Sequence, residues 1–279
     1  MWKVKKPAVT ASKAFSTCIS RIRNADLKAR MEAISGTVEE SANIYVTAAA
    51  QAHLHEMVTS THVDNLVTAK EMTQLYNVRM VKSAGREVYD ALIAAAEHGR
   101  CPFCGHRVVS TLDHVLPKAH YPVFAVTPDN LVPACADCNK TKSDGILVNE
   151  ADQYLHPYFD LIESNLWLKA EILETTPASM RFFVDCSSEW NVIIQQRVKN
   201  HFERLKLAKL YASQAAQEFI NIRYQIKILH KRAGTEGVRQ FLIETHASRS
   251  NARINSWQTA FYAALHQSSW YCNRGFSLE

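Results

Sequence analysis

No apolar run in the 279 residues approaches the roughly 20 that a membrane span requires, and the opening Met1-Trp2-Lys3-Val4-Lys5-Lys6-Pro7 lacks the apolar core of a secretion signal. A cytoplasmic protein is therefore expected. The chain also lacks low-complexity tracts and internal repeats, which sets aside disordered, fibrous and solenoid classes. Charge of one sign is in only small excess. The 32 Lys and Arg against 27 Asp and Glu leave a formal net charge of +5, too mild to identify a nucleic-acid partner by itself.

What is present suits a globular chain: 47% apolar and 21% charged residues can form one large core or two modest ones. The positive charge is uneven. Eight Lys/Arg stand against two Asp/Glu over residues 1–35, and nine against three over 187–232. Such stretches are either solvated helix surface or faces that attract phosphates, with Arg197, Lys199, Arg204, Lys206 and Lys209 the densest group. Of seven cysteines, Cys18, Cys186 and Cys272 are scattered singly, whereas Cys101, Cys104, Cys135 and Cys138 form two Cys-x-x-Cys pairs. In a cytoplasmic chain that pairing reads as metal binding, not disulfides.

Three stretches are expected. Residues 1–99 are Ala-rich and free of proline from Thr10 onward; three or four helices fit, with joints at Gly36, Thr59-Ser60-Thr61 and Ser83-Ala84-Gly85 and a capping box from Thr68 to Glu71. Residues 100–160 change composition abruptly, gaining proline, the paired cysteines and short β-type runs such as Arg107–Leu112. Residues 161–279 open with two strands, Leu166–Leu173 and Met180–Val184, around Thr175-Thr176-Pro177. Helices then carry two apolar stripes, Trp190, Ile194, Val198, Phe202, Leu205 and Ala215, Phe219, Ile222, Ile226, Leu229.

The pairs Cys101-Pro-Phe-Cys104 and Cys135-Ala-Asp-Cys138 each aim two thiolates at one point, and four thiolates satisfy tetrahedral zinc with no open position. Such a zinc is structural. The thirty residues between the knuckles exceed what a simple ribbon needs and hold Leu112-Asp113-His114-Val115-Leu116-Pro117-Lys118, then Pro128-Asp129-Asn130-Leu131-Val132-Pro133-Ala134. The second knuckle continues into Cys138-Asn139-Lys140-Thr141-Lys142. This order resembles the HNH endonuclease family, in which Asp-His ends a strand, Asn-Leu precedes the second knuckle and Cys-x-x-Cys-Asn-x-x-Lys opens the helix of a ββα-metal fold. The resemblance implies a mainly α protein with a small inserted ββα-metal zinc module and a short β-hairpin.

Phosphodiester hydrolysis needs a base for the attacking water, a cation for the developing charge and a stabilised leaving oxygen. His114 suits the base, as an imidazole neutral near physiological pH. Asp113, adjacent on an extended chain, points to the opposite side and suits a hard divalent ion, Mg2+ or Mn2+, to which Asn139 can add a second oxygen. Asn130, on the resemblance, fixes the backbone carrying His114. Asn139 stands where the family more often has histidine, matching an HNN variant that the resemblance implies is active, with a weaker neutral ligand and greater reliance on Asp113. Lys118, Lys140 and Lys142 are candidate phosphate contacts or solvated side chains. His120 is a candidate metal or substrate contact and otherwise a loop residue; His156 is expected to pack beneath the active-site loop.

The expected partner is nucleic acid, DNA ahead of RNA. The wider layout resembles HNH nucleases that accompany an ATPase in Septu-type and retron-linked antiphage systems, which implies an ATPase partner and docking through the helical flanks. The alternative is a non-catalytic zinc module that binds nucleic acid or protein. Against it stands the set Asp113, His114, Asn130, Asn139, which a pure binding module has no reason to assemble.

Overall fold

The computed structural model describes residues 1–277, and the chain forms two compact units, Met1–Asp160 and Leu161–Glu279. Among the described residues no helix is long and apolar enough to cross a membrane.

The first unit starts with three helices. In α1 (Ala11–Ile19) and α2 (Ala25–Ala33) the first-turn N–H groups are met by the side chains of Thr10 and Asn24. The third, α3 (Ser35–Ala50), follows at once. Gly36, expected as a joint, lies in its first turn; nothing stands within 4 Å of a Cβ built there, so it marks neither a turn nor a close approach. A two-residue ladder that the sequence pattern did not announce pairs β1 (His62–Val63) with β2 (Val67–Thr68). The expected capping box starts α4 (Ala69–Gln74): the Thr68 hydroxyl accepts from the Glu71 N–H while the Glu71 carboxylate accepts from the Thr68 N–H. Arg30 of α2 locks this corner through an ion pair with Glu71 of 2.9 Å.

After α4 the helix widens into a π turn over Leu75–Met80, with the Val81 N–H donating to Tyr76 O five residues back. Then α5 (Arg86–Ala94) begins at Gly85, where a Cβ would stand 2.7 Å from Cys18 Sγ and 2.8 Å from Met80 Cα; only glycine lets α5 start hard against α1 and the π turn.

The second half of this unit is the small ββα element. β3 (Thr111–His114) runs antiparallel to β4 (Leu131–Ala134), pairing Asp113 with Val132 and His114 with Leu131, and α6 (Ala136–Lys142) follows. The strand lies further along than the β-type run Arg107–Leu112, of which Val108 contributes an isolated bridge to Arg100. Residues 1–99 and 100–160, expected as separate stretches, share one core: Phe15, Ile34, Met72 and Met80 pack in the same cluster as Leu112 and Leu131. The first residues are part of it too. The Trp2 N–H donates to Pro102 O and the Val4 N–H to Pro157 O, at 2.8 and 2.9 Å. Gly105, at φ +61°, turns the first knuckle so closely under Trp2 that a Cβ would come within 2.5 Å of the indole nitrogen.

In the second unit the expected hairpin is present, β5 (Leu168–Leu173) against β6 (Ser179–Val184) in register from Leu168↔Val184 to Leu173↔Ser179. Then come α7 (Val192–Arg204) and α8 (Leu207–Ala252), the latter broken at Gly234 into two rods, and finally α9 (Trp257–Gln267) and α10 (Ser269–Asn273). Val198, Phe202 and Leu205 of the first stripe and Ala215, Phe219, Ile222 and Ile226 of the second are buried. The basic face is smaller than expected: Lys199, Arg204, Lys206 and Lys209 are exposed, but Arg197 points inward at 3% exposure.

Candidate active site

The four paired cysteines converge. Cys101, Cys104, Cys135 and Cys138 are buried, and their sulfurs all lie within 4.8 Å of one another. A tetrahedral zinc with Zn–S of about 2.3 Å needs sulfurs about 3.8 Å apart, so the cluster can hold the ion with small adjustments. Backbone N–H groups already point at two sulfurs, Arg107 N–H at Cys104 Sγ and Cys138 N–H at Cys135 Sγ, each at 3.4 Å. The second of these caps α6, so the knuckle and the helix share one turn. Arg107 of the first knuckle pairs with Asp137 of the second at 2.7 Å.

Beyond the knuckles, β3 ends by presenting its last two side chains to opposite sides, as an extended chain must. Asp113 faces α6, where its Oδ2 accepts from Lys142 Nζ at 2.7 Å, both side chains at most 4% exposed. Burial pushes the Asp113 carboxyl above the ordinary carboxylate range, opposed by the Lys142 charge. The ammonium also lies over two rings, 4.9 Å from the centroids of both Phe103 and Tyr154. Lys142, from sequence a candidate phosphate contact or a solvated side chain, is instead buried against Asp113 here.

His114 faces the other way. Its Nε2 lies 2.9 Å from Ala125 O. A carbonyl only accepts, so Nε2 carries the proton and Nδ1 keeps its lone pair. Burial, reinforced by the charge of Lys118, pushes the imidazole pKa down to about 3, against the smaller upward pull of the Ala125 carbonyl. The ring is therefore neutral at physiological pH. Tyr76, brought in by the π turn, packs edge-on against it with centroids 4.5 Å apart, and Lys118 Nζ lies 5.1 Å over the Tyr76 ring.

Asn130 is wholly buried and makes three hydrogen bonds: Oδ1 accepts from the Leu116 N–H at 2.7 Å, and Nδ2 donates to Leu116 O at 3.0 Å and Phe124 O at 3.2 Å. It ties the chain just after His114 to the chain just before Ala125, the residue that holds the His114 ring. A cleft of about 300 Å³ opens over the site, lined by Asp113, His114, Pro117, Lys118, Asn139 and Asp144 among others. The structure thus brings together Asp113, His114, Lys118 and Asn139, with Asn130 directly behind.

Other expected residues stand apart. Lys140 is exposed, and neither it nor His120 is among the cleft's lining residues. His156 is buried: its Nδ1 accepts from the Tyr158 N–H, and Nε2 lies 3.1 Å from the Tyr45 hydroxyl, the packing role expected of it. Sequence reasoning missed Tyr76 and the two rings against Lys142. An aromatic in a helical stretch reads as core, and only the π hydrogen bond, invisible in sequence, aims Tyr76 at His114. Asp144, two residues past Lys142, was within reach of the motif's own spacing.

The HNH endonuclease family profile matches residues 101–145, the span that contains both knuckles, β3, β4 and α6. Over a longer stretch of 227 residues the chain is 30% identical to protein ea31 of Escherichia phage lambda, the alignment covering 76% of each. The chain belongs to the HNH endonuclease family. No solved structure matches it. Within this HNH protein the family's span is only part of the second half of the first unit, while the likeness to ea31 extends well beyond it.

Proposed function

We propose that this chain is a metal-dependent endonuclease that hydrolyses phosphodiester bonds in nucleic acid, DNA ahead of RNA, with His114 as general base. The observation that carries the reading is the state of His114: a neutral imidazole with Nε2–H committed to Ala125 O and Nδ1 left unprotonated, at the edge of a cleft shared with Asp113, Lys118 and Asn139. Nδ1 accepts a proton from a water whose oxygen attacks phosphorus; the P–O bond opposite breaks, and the leaving oxygen takes its proton from solvent. Asn130 positions the base by clamping Leu116 to Phe124. Asp113 and Asn139 offer one carboxylate and one amide oxygen to a Mg2+ or Mn2+ ion, a donor set suited to a hard cation. Such an ion supplies neutralisation of the charge that builds on the phosphate. Lys118 adds positive charge within the cleft, and exposed Lys140 extends it along the substrate backbone. Zinc on the four cysteines holds the frame and takes no part in the chemistry.

The test is incubation of the purified protein with supercoiled plasmid and with total RNA, in Mg2+, in Mn2+ and in EDTA. Cleavage that needs the divalent ion and vanishes in His114→Ala supports the proposal. No cleavage under any condition, with nucleic acid still bound, returns the non-catalytic zinc module. The wider reading, an antiphage effector working with an ATPase in the cytoplasm, rests on the likeness of layout to Septu-type and retron-linked nucleases. Co-expression with a neighbouring ATPase gene tests it, and a failure to co-purify counts against it.

A further inference from the structure

We propose that the Lys142 ammonium is a resident place-holder for the divalent cation on Asp113, displaced when that ion binds. The proposal rests on the cation site of Asp113 and Asn139 put forward above. Three observations carry it. The carboxylate expected to hold the ion already holds a positive charge, with Lys142 Nζ 2.7 Å from Asp113 Oδ2. The pair is sealed, with neither side chain more than 4% exposed, so this is not a surface contact that water screens away. Lys142 is also the last residue of α6, and the backbone past it turns through Ser143 at φ +53° into exposed residues 143–146, including Asp144 on the rim of the same cleft.

The physical logic is that of a buried carboxylate that must survive before its ion arrives. Left alone, Asp113 would be an uncompensated charge at a buried position; Lys142 compensates it, and the rings of Phe103 and Tyr154 stabilise the ammonium. A divalent ion on the same carboxylate would sit within a few ångströms of Nζ, and two cations so close in a poorly solvated pocket repel strongly. One of them has to leave. The lysine has a flexible four-carbon stem, and Asp144, two residues on, lines the cleft, so its carboxylate and a substrate phosphate are alternative partners. Cation binding would then free the phosphate contact that the motif's spacing leads one to expect.

The experiment measures Mn2+ binding to the full-length, zinc-loaded protein without substrate, by electron paramagnetic resonance of free Mn2+. Lys142→Met is expected to bind Mn2+ on the order of tenfold more tightly than wild type, because the competing charge is gone. Lys142→Arg, which grips a carboxylate with two parallel N–H groups, is expected to bind it more weakly. Asp113→Asn is expected to lose the site. If Lys142→Met binds Mn2+ equally or less well while Asp113→Asn loses it, the lysine supports the ion instead of competing and the proposal is overturned alone. If Asp113→Asn binds as wild type does, the cation site itself is misplaced, and both readings fall. A second measurement needs no variant: reductive methylation of wild-type lysines, read by mass spectrometry, should modify Lys142 several-fold faster in Mn2+ than in its absence. Unchanged protection would show that the ammonium never leaves Asp113.

Discussion

Replacing Asn130 by alanine tests whether the frame around His114 depends on one side chain. Asn130 is wholly buried and its amide satisfies three backbone groups, the N–H and C=O of Leu116 and the C=O of Phe124. Alanine leaves both Leu116 groups without a partner, while Phe124 O keeps the bond from the Thr127 N–H at 3.2 Å, and a buried group left unmade costs about 1 to 3 kcal/mol. Taking the lower part of that range for the two Leu116 groups, because some water will enter the space vacated, the loss is about 2 to 4 kcal/mol. In a unit of this size that lowers the melting temperature by about 10 °C. Asn130→Asp should be nearly as harmful. Its carboxylate can still accept from Leu116 N–H, but where Nδ2 donated it now sets an oxygen against two carbonyl oxygens. Calorimetry of the full chain reads both variants, the transition of Met1–Asp160 being the one that shifts when a chelator strips zinc. Cleavage of plasmid should fall further than stability accounts for, since Phe124 adjoins the carbonyl that holds His114. If both variants melt within 2 °C of wild type, the amide is not holding the loop and the account of His114 positioning is wrong.

Other expected outcomes follow from the same geometry. His114→Ala should abolish cleavage with zinc content near wild type and a melting temperature a few degrees lower, because the Ala125 carbonyl loses its partner; retained cutting would place the base elsewhere. Cys135→Ala should lose zinc and unfold the first unit, because structural zinc contributes roughly 10 to 16 kcal/mol in small zinc modules; a stable variant with one equivalent of zinc would contradict the four-cysteine site. With His114 depressed to about 3 from the ordinary histidine value, its folded form stays neutral where the unfolded chain takes up a proton. The stability this gives is complete above about pH 6.5 and declines as pH falls from there toward 3; His114→Asn should flatten that part of the acid limb. At saturating Mg2+ the cleavage rate should likewise hold well below pH 6.5, and a midpoint at 6.5 would show an ordinary exposed imidazole. Tyr76→Leu should cut the rate about tenfold or more, since it removes the ring edge against His114, and should weaken nucleic-acid binding only slightly, through the lost support of Lys118.

The ββα element was legible because its constraints are local. Cys-x-x-Cys spacing, the Asp113-His114 pair at a strand end and Asn139 after the second knuckle each fix geometry within a few residues: the four cysteines converge, β3 ends on Asp113 and His114, and Asn139 lines the same cleft. The hairpin at Leu168–Val184 and the capping box at Thr68 were equally local. What escaped were consequences of packing over long separations. Nothing near Tyr76 in sequence points to His114, thirty-eight residues on, and Lys142 has the spacing of a solvated lysine until α6 lays it on Asp113. Arg197 reads as one more charge on a basic stripe, yet the helix turns it inward.

The core that joins Phe15, Ile34 and Met72 to Leu112 and Leu131 also bears on how this HNH chain can be cut, grafted or inherited. A segment limited to residues 101–145 would keep its zinc ligands but bare the apolar side of β3 and β4, and Trp2 would no longer close over the first knuckle. Transplanting the motif into another scaffold therefore means supplying a second layer of helices. The smallest piece able to pass intact from one gene to another is the 160-residue unit.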